Sequence, residues 1–397
     1  MRLNGMLPPQ HFHLRRRALW AIETWQAGRS LASRYKLPPW QPFLEQAGLF
    51  REFGLDQYAY YRYRLYQPTL SREEKGRYLP DSLAWNSRVW ALLTPPRYRS
   101  LYDNKLIFNR FFEALGLPLA RILAVYDPRP ASSGARNVTT TEQLSASLMK
   151  LGGAGFVVKP IQGIQGHRIL VFVGPARSQD GVFETLAGDR YDAARIVAYV
   201  TTGAAHLLSE NPGADPYSFL VEERLRPHPE LADFVGPTLC TVRVQTLIGR
   251  DGMPRILAAV FKLQPGTSGV DHLIFGAVGC WVDLETGKLG RGRSRLHDED
   301  VTTIPETDRS FLGFQLPLWE ETCAVALEAA AAFPWARCIG WDIGLSDRGP
   351  IIVEGNERWS PSLIQMPAPH GLYTGELKAV VDELSGADPK IHPAETF

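Results

Sequence analysis

Cysteine is scarce in this 397-residue chain: Cys240, Cys280, Cys323 and Cys338 stand far apart with no C-x-x-C pair, which argues against a disulfide scaffold and a thiolate zinc site. No run of about 18 apolar residues occurs, and the opening MRLNGMLPPQHFHLRRRALW is basic without the apolar core of a signal peptide. The expectation is therefore a reduced, cytoplasmic, soluble protein with no stable membrane insertion. Net charge is nearly absent too, at +1, so nothing electrostatic points to nucleic acid or an anionic membrane as the main partner. The chain also lacks a Walker A loop, a convincing Ser/His/Asp or Cys/His set, and any repeat with a period of roughly 20–50 residues. Lysine is rare, with nine against 34 arginines, so each lysine in a suggestive context carries extra weight.

What is present begins with aromatics. Leu19, Ile22, Trp25 and Leu31 have helical spacing within 15–35, the tyrosine-rich run 58–66 continues as helix, and Ser71-Arg-Glu-Glu74 matches a capping box ahead of more helix to about residue 93. The aromatic stripe could stack on bases, but without a basic field helix packing is the simpler role. His11 and His13 have the spacing of a strand-borne metal pair; with no companion cysteine or acid nearby they read as structural or surface residues. Residues 1–100 thus form a helical region, and its role in substrate recognition or bracing stays open.

From Asp103 the texture changes. DNKLIFNRFFEALGLP predicts an amphipathic helix stopped by Gly116 and Pro118, ARILAVYDP a strand, and TEQLSASLMKLGG a short helix after the polar loop 128–141. GFVVKPIQGIQGHRILVFVG reads as strand, glycine-containing loop, strand; SFLVEERL is another strand, and 236–263 a strand pair around Arg250-Asp-Gly-Met. The helix 318–333 precedes a closing hairpin at 339–356. The layout is α+β, with parts expected at 101–217 and 218–385 and a tail at 386–397.

The closing hairpin, IGWDIGLSDRGPIIVEGNERWS, raises the chemical question. A turn centred on Arg348 places Asp342 opposite Glu354, with Asn356 two residues on along the same face. Opposed carboxylates, roughly 5 Å apart at Cβ, repel unless a proton or cation lies between them. An oxygen-only set suits Mg²⁺; two solvated hairpin acids are the plainer alternative. Lys159 ends a β-rich run before Gly163 and Gly166, whose backbone N–H groups could approach an anion, although a solvated hairpin loop would look the same. Glu222 and Glu223 point to opposite faces of one strand, so at most one enters a given cleft. That one could contact a ribose or purine, while surface pairing to Arg224 or Arg226 is the alternative. Thr241, Arg243 and Gln245 share one strand face, and Lys262 lies near the end of the partner strand; these cations could neutralise phosphate charge or simply form ion pairs.

In their order along the chain these stretches resemble the ATP-grasp superfamily, and within it the sugar-transfer-associated branch. The resemblance rests on DNKLIFNRFFEALGLP, VVKPIQGIQG, VEERLRPHPEL, TVRVQT, VDLETGKL and GWDIGLSDRGPIIVEGN, and runs from about Tyr58 to Gly371. It implies an ATP-grasp fold in which two α+β lobes clasp ATP, with Lys105 and Lys159 on the phosphates and Glu222 or Glu223 on base and ribose. It also implies Asp342, Glu354 and Asn356 on Mg²⁺, with Mn²⁺ possible in its place, and Arg243 supporting a phosphate or acyl-phosphate. Lys262 stands where relatives often carry arginine, and VDHLIFGAVG departs from the family pattern at His272 and Ala277. The implied activity is ATP-dependent ligation of a small-molecule carboxylate to an amine or hydroxyl through an acyl-phosphate. Phosphotransfer and a non-catalytic nucleotide-binding role in glycan assembly are the alternatives. Arg358, Trp359, Ser360 and Gln365, directly after the hairpin, are expected to line the acceptor side; His228 is an acid–base candidate, or a structural loop histidine.

Overall fold

The computed structural model describes residues 38–386 except 82, 130–136, 152, 164–165, 176–180, 203–214, 272–275 and 295–299, together with 29–30, 32–33 and 36. His11, His13, His272, most of the expected 15–35 helix and the tail beyond 386 lie outside the described residues.

The N-terminal region is helical, in short pieces: α1 (Gln41–Phe53), α2 (Gln57–Arg62), α3 (Arg72–Gly76), α4 (Leu83–Leu93) and α5 (Arg99–Asp103). The capping box at α3 forms, with the Glu74 N–H donating to Ser71 Oγ and the Ser71 N–H to the Glu74 carboxylate. The continuous helix expected after it is broken around Pro80, which cannot continue a helical hydrogen-bond ladder. Tyr60, Tyr61 and Tyr63 are buried with Leu49, Leu55 and Tyr78, so the aromatic stripe packs inward.

The helix expected at 103–118 also divides. Asn104 takes an extended conformation and its Oδ1 accepts the Leu106 and Ile107 N–H groups, which ends α5 and starts α6 (Lys105–Ala114). Lys105 is thereby the first residue of a helix.

There follow β1 (Ile122–Tyr126), β2 (Asn137–Val138), α7 (Thr141–Met149), β3 (Phe156–Pro160), β4 (Leu170–Pro175), β5 (Val182–Thr185), β6 (Arg190–Asp192), α8 (Ala193–Thr201) and β7 (Phe219–Glu223). The strands form a seven-stranded sheet in the order β2-β1-β7-β3-β4-β5-β6, with β1 and β2 parallel and the other pairs antiparallel. Leu144 and Leu148 of α7 and Ile196 and Val200 of α8 cover Phe156, Phe172, Phe183 and Phe219 on one face. β7 lies between β1 and β3, so the first sheet takes in residues up to Glu223, past the expected 217/218 boundary.

The second sheet is built from β8 (Thr241–Ile248), β9 (Pro254–Leu263), β10 (Val278–Val282), β11 (Leu289–Arg293), β12 (Cys338–Ser346) and β13 (Gly349–Asn356), in the order β11-β10-β9-β8-β12-β13 and antiparallel throughout. Ala326, Ala329 and Ala330 of α10 (Trp319–Ala332; a shorter α9, Pro229–Phe234, precedes β8) let this helix lie close on one face, against Val242, Val244 and Phe261. On the opposite face, Ile364 of α11 (Pro361–Gln365) and Leu377, Val380 and Val381 of α12 (Gly375–Ser385) pack on Leu247, Ala258, Val260 and Cys338 at one end. Each such buried aliphatic contributes about 1.5–3 kcal/mol. The remainder of that face carries the polar residues.

Candidate active site

The site starts from the β12–β13 hairpin. Its turn is Asp347-Arg348, with Ser346 paired to Gly349 and Ile343 to Ile352; that register alone would leave Asp342 facing Val353. A bulge at Val353 advances β13 by one residue, and Asp342 comes to face Glu354 and Gly340 to face Asn356. The expected pairing is present, reached through a bulge instead of a turn centred on Arg348.

Across the sheet, β8 places Arg243 directly beside Asp342, and β9 places Lys262 on the same face, two residues along from the Val260 that faces Arg243. Four neighbouring strands therefore present Glu354, Asp342, Arg243 and Lys262 side by side. Arg243 holds Asp342 with two hydrogen bonds, Nε to Oδ1 at 2.5 Å and Nη2 to Oδ2 at 2.9 Å, and Lys262 Nζ donates to the same Oδ2 at 3.1 Å. Lys262 also reaches Asp271 at 3.3 Å, and Asp271 is fixed by the backbone N–H and hydroxyl of Thr241 at 2.6 and 2.7 Å. Burial pushes the Asp342 carboxyl up, but Arg243 and Lys262 outweigh it and hold Asp342 well below the usual carboxylate range. Burial likewise works against a charged Lys262, and Asp271 and Asp342 raise its ammonium above the usual lysine range. Gly340 makes the arrangement possible: a Cβ there would stand 2.9 Å from Arg243 Cδ and 3.0 Å from Gln245 Oε1.

The second group comes from the first sheet. Lys159 on β3 and Glu222 on β7 lie diagonally on one face and pair at 2.7 Å, both buried. Lys105 joins them from α6: its backbone N–H donates to Ile161 O at 2.9 Å and its Nζ to Gly163 O at 3.1 Å. Burial pushes the Lys105 ammonium below the usual lysine range, opposed by Glu354 and reinforced by Lys159. Lys105 thus lies in the field of both groups. Gly166 adopts the left-handed conformation, φ 72°, that glycine alone takes without strain. Glu223, on the outward face of β7, binds Arg348 of the hairpin turn at 3.0 Å and accepts the Arg121 N–H, linking the lobes away from the cleft.

A model of the sugar-transfer-associated ATP-grasp family matches residues 85–381. The chain belongs to that family. Among solved structures, this ATP-grasp chain is similar to the biotin carboxylase domain of Hydrogenobacter thermophilus 2-oxoglutarate carboxylase, at 11% identity over 73% of this chain and 47% of that one, with a TM-score of 0.40. It is also similar to D-alanyl-alanine synthetase A of Vibrio cholerae, at 11% identity over 73% and 67% with a TM-score of 0.39, and to the D-cycloserine synthetase DcsG, at 18% over 74% and 73% with a TM-score of 0.38. The chain spans about half the length of that biotin carboxylase structure. No curated protein matches.

In this ATP-grasp chain, Asp342, Glu354 and Asn356 come together on one face. Glu354 faces Asp342 across the hairpin, and Arg243 and Lys262 offset the repulsion between the two carboxylates. Asn356 donates its Nδ2 to Gly340 O and Glu354, and its Oδ1 has no hydrogen bond among the described residues, so it is available as a ligand. The donor set fits a hard divalent cation, and Asp342 is at the same time gripped by Arg243 and Lys262. No cluster of three His, Cys, Asp or Glu side chains that could hold an ion occurs among the described residues, so non-protein oxygens would have to complete the shell.

The acceptor-side expectations fare differently. Trp359 is buried in the core with Leu79, Val89 and Cys338. Gln365 is buried as well, its amide bonded to the N–H and O of Leu79 and to the Leu372 N–H. Neither lines a cleft, because an apolar core and a buried backbone claim them. Ser360 Oγ pairs with Ser362 Oγ at 2.8 Å. Arg358 bridges Asp103 at 2.9 Å and Glu357 at 2.8 Å, tying α5 to the end of β13. His228 caps α9, its Nδ1 accepting the Glu230 N–H, which is the structural alternative for this loop histidine. Asp271 and Gly340 were missed as site residues. An acid nine positions from Lys262, and a glycine inside an otherwise bulky strand, were the available signals.

No helix among the described residues is long and apolar enough to cross a membrane.

Proposed function

We propose that the protein is an ADP-forming ATP-dependent ligase that joins a carboxylate to an amine or hydroxyl through an acyl-phosphate. The observation that carries this reading is the charge gradient along one sheet face, from Glu354 and Asp342 to Arg243 and Lys262, with Lys105 and the Lys159–Glu222 pair nearby on the first lobe. Family membership supports ATP as the nucleotide. Lys105 and Lys159 would neutralise the phosphates of ATP and Glu222 would face its base and ribose. Asp342, Glu354 and Asn356 would hold Mg²⁺, which when bound supplies Lewis-acid neutralisation of phosphate charge.

Arg243 and Lys262 stand just beyond the carboxylates, where a substrate carboxylate approaching the γ-phosphate would gather negative charge. The substrate oxygen bonds to γ-phosphorus as the bond to ADP breaks; the nucleophile then adds to the acyl carbon, loses its proton, and inorganic phosphate departs. Such chemistry rests on positioning and charge neutralisation, which an Arg–Lys pair held by Asp342 and Asp271 is built to give.

The test is Mg-ATP turnover in a fractionated metabolite extract containing hydroxylamine, with Glu354→Gln as control. ADP plus a hydroxamate, both lost in the variant, is the expected result. ADP with a phosphorylated metabolite and no hydroxamate would replace ligation by phosphotransfer.

A further inference from the structure

Gln245 is a buried polar side chain that the proposed chemistry leaves idle. It stands two residues beyond Arg243 on β8, on the same face, and is fully enclosed. Its amide Nε2 donates to Cys338 Sγ at 3.2 Å, and burial keeps that sulfur a neutral thiol, its pKa pushed up to about 12. The other end of the amide, Oε1, has no hydrogen-bond partner among the described residues. A buried carbonyl left this way costs folding free energy, so its presence asks for a state of the protein in which it is used.

The idle acceptor lies beside Arg243. On β12, Gly340 faces Gln245 and Asp342 faces Arg243, and the missing side chain of Gly340 lets the two β8 side chains fold over it. The point where Gly340 would carry a Cβ is 3.0 Å from Gln245 Oε1 and 3.3 Å from Arg243 Nη1. No hydrogen bond joins them, because Arg243 commits Nε and Nη2 to Asp342. Lys262 offers a parallel: it grips Asp342 and also holds Asp271. Each cation on Asp342 therefore has a second acceptor at hand, Asp271 already bonded to the lysine and Gln245 not yet bonded to the arginine.

We infer that Gln245 is a positioning residue for the cation site: when Asp342 turns its oxygens to a divalent cation, Arg243 releases that carboxylate and donates Nη1 to Gln245 Oε1. A divalent cation competes for the same two oxygens and repels the guanidinium. An arginine stranded in this buried place would cost far more than one handed to a neutral carbonyl. Lys262 meanwhile keeps Asp271. Arg243 then retains its charge beside the carboxylates, where phosphate charge would gather, while Asp342 is freed for the cation. The exchange is of hydrogen bonds alone, with no proton transferred. It rests on the reading of Asp342 as a cation ligand, whereas the juxtaposition of Gln245 and Arg243 over Gly340 stands on the structure.

The experiment measures Mn²⁺ binding to the full chain in the presence of ADP, by electron paramagnetic resonance of the free ion, together with melting temperatures with and without Mn-ADP. Gln245→Met keeps the length of the side chain and removes the acceptor. It should weaken Mn²⁺ binding about tenfold, while the metal-free variant melts no earlier than wild type. Gln245→Glu should bind Mn²⁺ at least as tightly as wild type, because a carboxylate is a stronger second partner for Arg243. In an Arg243→Met background, Gln245→Met should change Mn²⁺ affinity no further. Wild-type affinity in Gln245→Met would overturn the exchange. So would an equal fall in melting temperature with and without Mn-ADP, which marks a packing role alone. Wild-type protein that binds ADP without Mn²⁺ would overturn the cation assignment of Asp342 and the exchange with it. The expected Mn²⁺ pattern without any hydroxamate in the turnover test would uphold the exchange and count against ligation only.

Discussion

The two sheets treat buried charge differently. On the first, Lys159 and Glu222 form a diagonal pair at 2.7 Å, with Lys105 in their field. On the second, Asp342 is shared by Arg243 and Lys262, and Lys262 is shared in turn with Asp271. A matched pair keeps its geometry as long as both partners stay, and it presents a fixed surface. A shared network has more than one satisfying arrangement, so a group can leave one partner for an incoming charge without being stranded. This difference suits the proposed division between a nucleotide-holding lobe and a reacting lobe.

The comparison breaks most visibly at Asp342. Asp342→Asn removes the centre of the network and leaves Arg243 buried beside a neutral amide. Destabilisation of about 3 kcal/mol and a loss of Mg-ATP turnover of roughly 10²–10³-fold are expected, measured by denaturant unfolding and ADP release. Lys159→Met tests the matched pair: stranding Glu222 should cost about 3 kcal/mol as well. Adding Glu222→Leu should recover most of that stability while Mg-ADP affinity, followed by titration, stays low. Recovery of both would mean that the pair serves the fold alone.

Gly340→Ala sharpens the contrast within the second sheet. The added methyl would meet Arg243 and Gln245 at about 3 Å, so a loss of about 1–3 kcal/mol and a fall in kcat larger than the change in nucleotide affinity are expected.

Glu223→Gln, on the outward face of the matched-pair strand, should have the smallest effect, at most about 1 kcal/mol in this screened setting. Burial raises the Glu223 carboxyl, but Arg348 and Arg121 outweigh it and hold it below its ordinary value. Its stabilisation is therefore fully present above the ordinary glutamate pKa, about 4.3, and is lost as pH falls through the lower folded value. The melting-temperature gap between wild type and variant should close in acid and stay constant at neutral pH.

Much of this was legible from residue pattern. Period-two runs disclosed β3, β7, β8, β9, β12 and β13, and the Glu-x-Asn of the last strand placed its two polar groups on one face. The short strands β5 and β6 were not, because Val182–Thr185 and Arg190–Asp192 are too brief and too polar to show periodicity. Trp359 and Gln365 followed the hairpin closely enough to suggest a cleft, but proximity along the chain does not tell which side of a turn faces the core.

By itself, the sequence determined the chemistry available: a cationic strand face, a hairpin of oxygen-bearing side chains, and a glycine loop beside one of few lysines. Those depend on residue type and on spacing along single strands. Tertiary structure alone decided that Asp342 is held by Arg243 and Lys262 and that Lys105 feels both charge groups. Such partnerships depend on strand order, on the bulge at Val353 and on the packing of α6 between the lobes. They are properties of long-range closure, which local pattern does not encode.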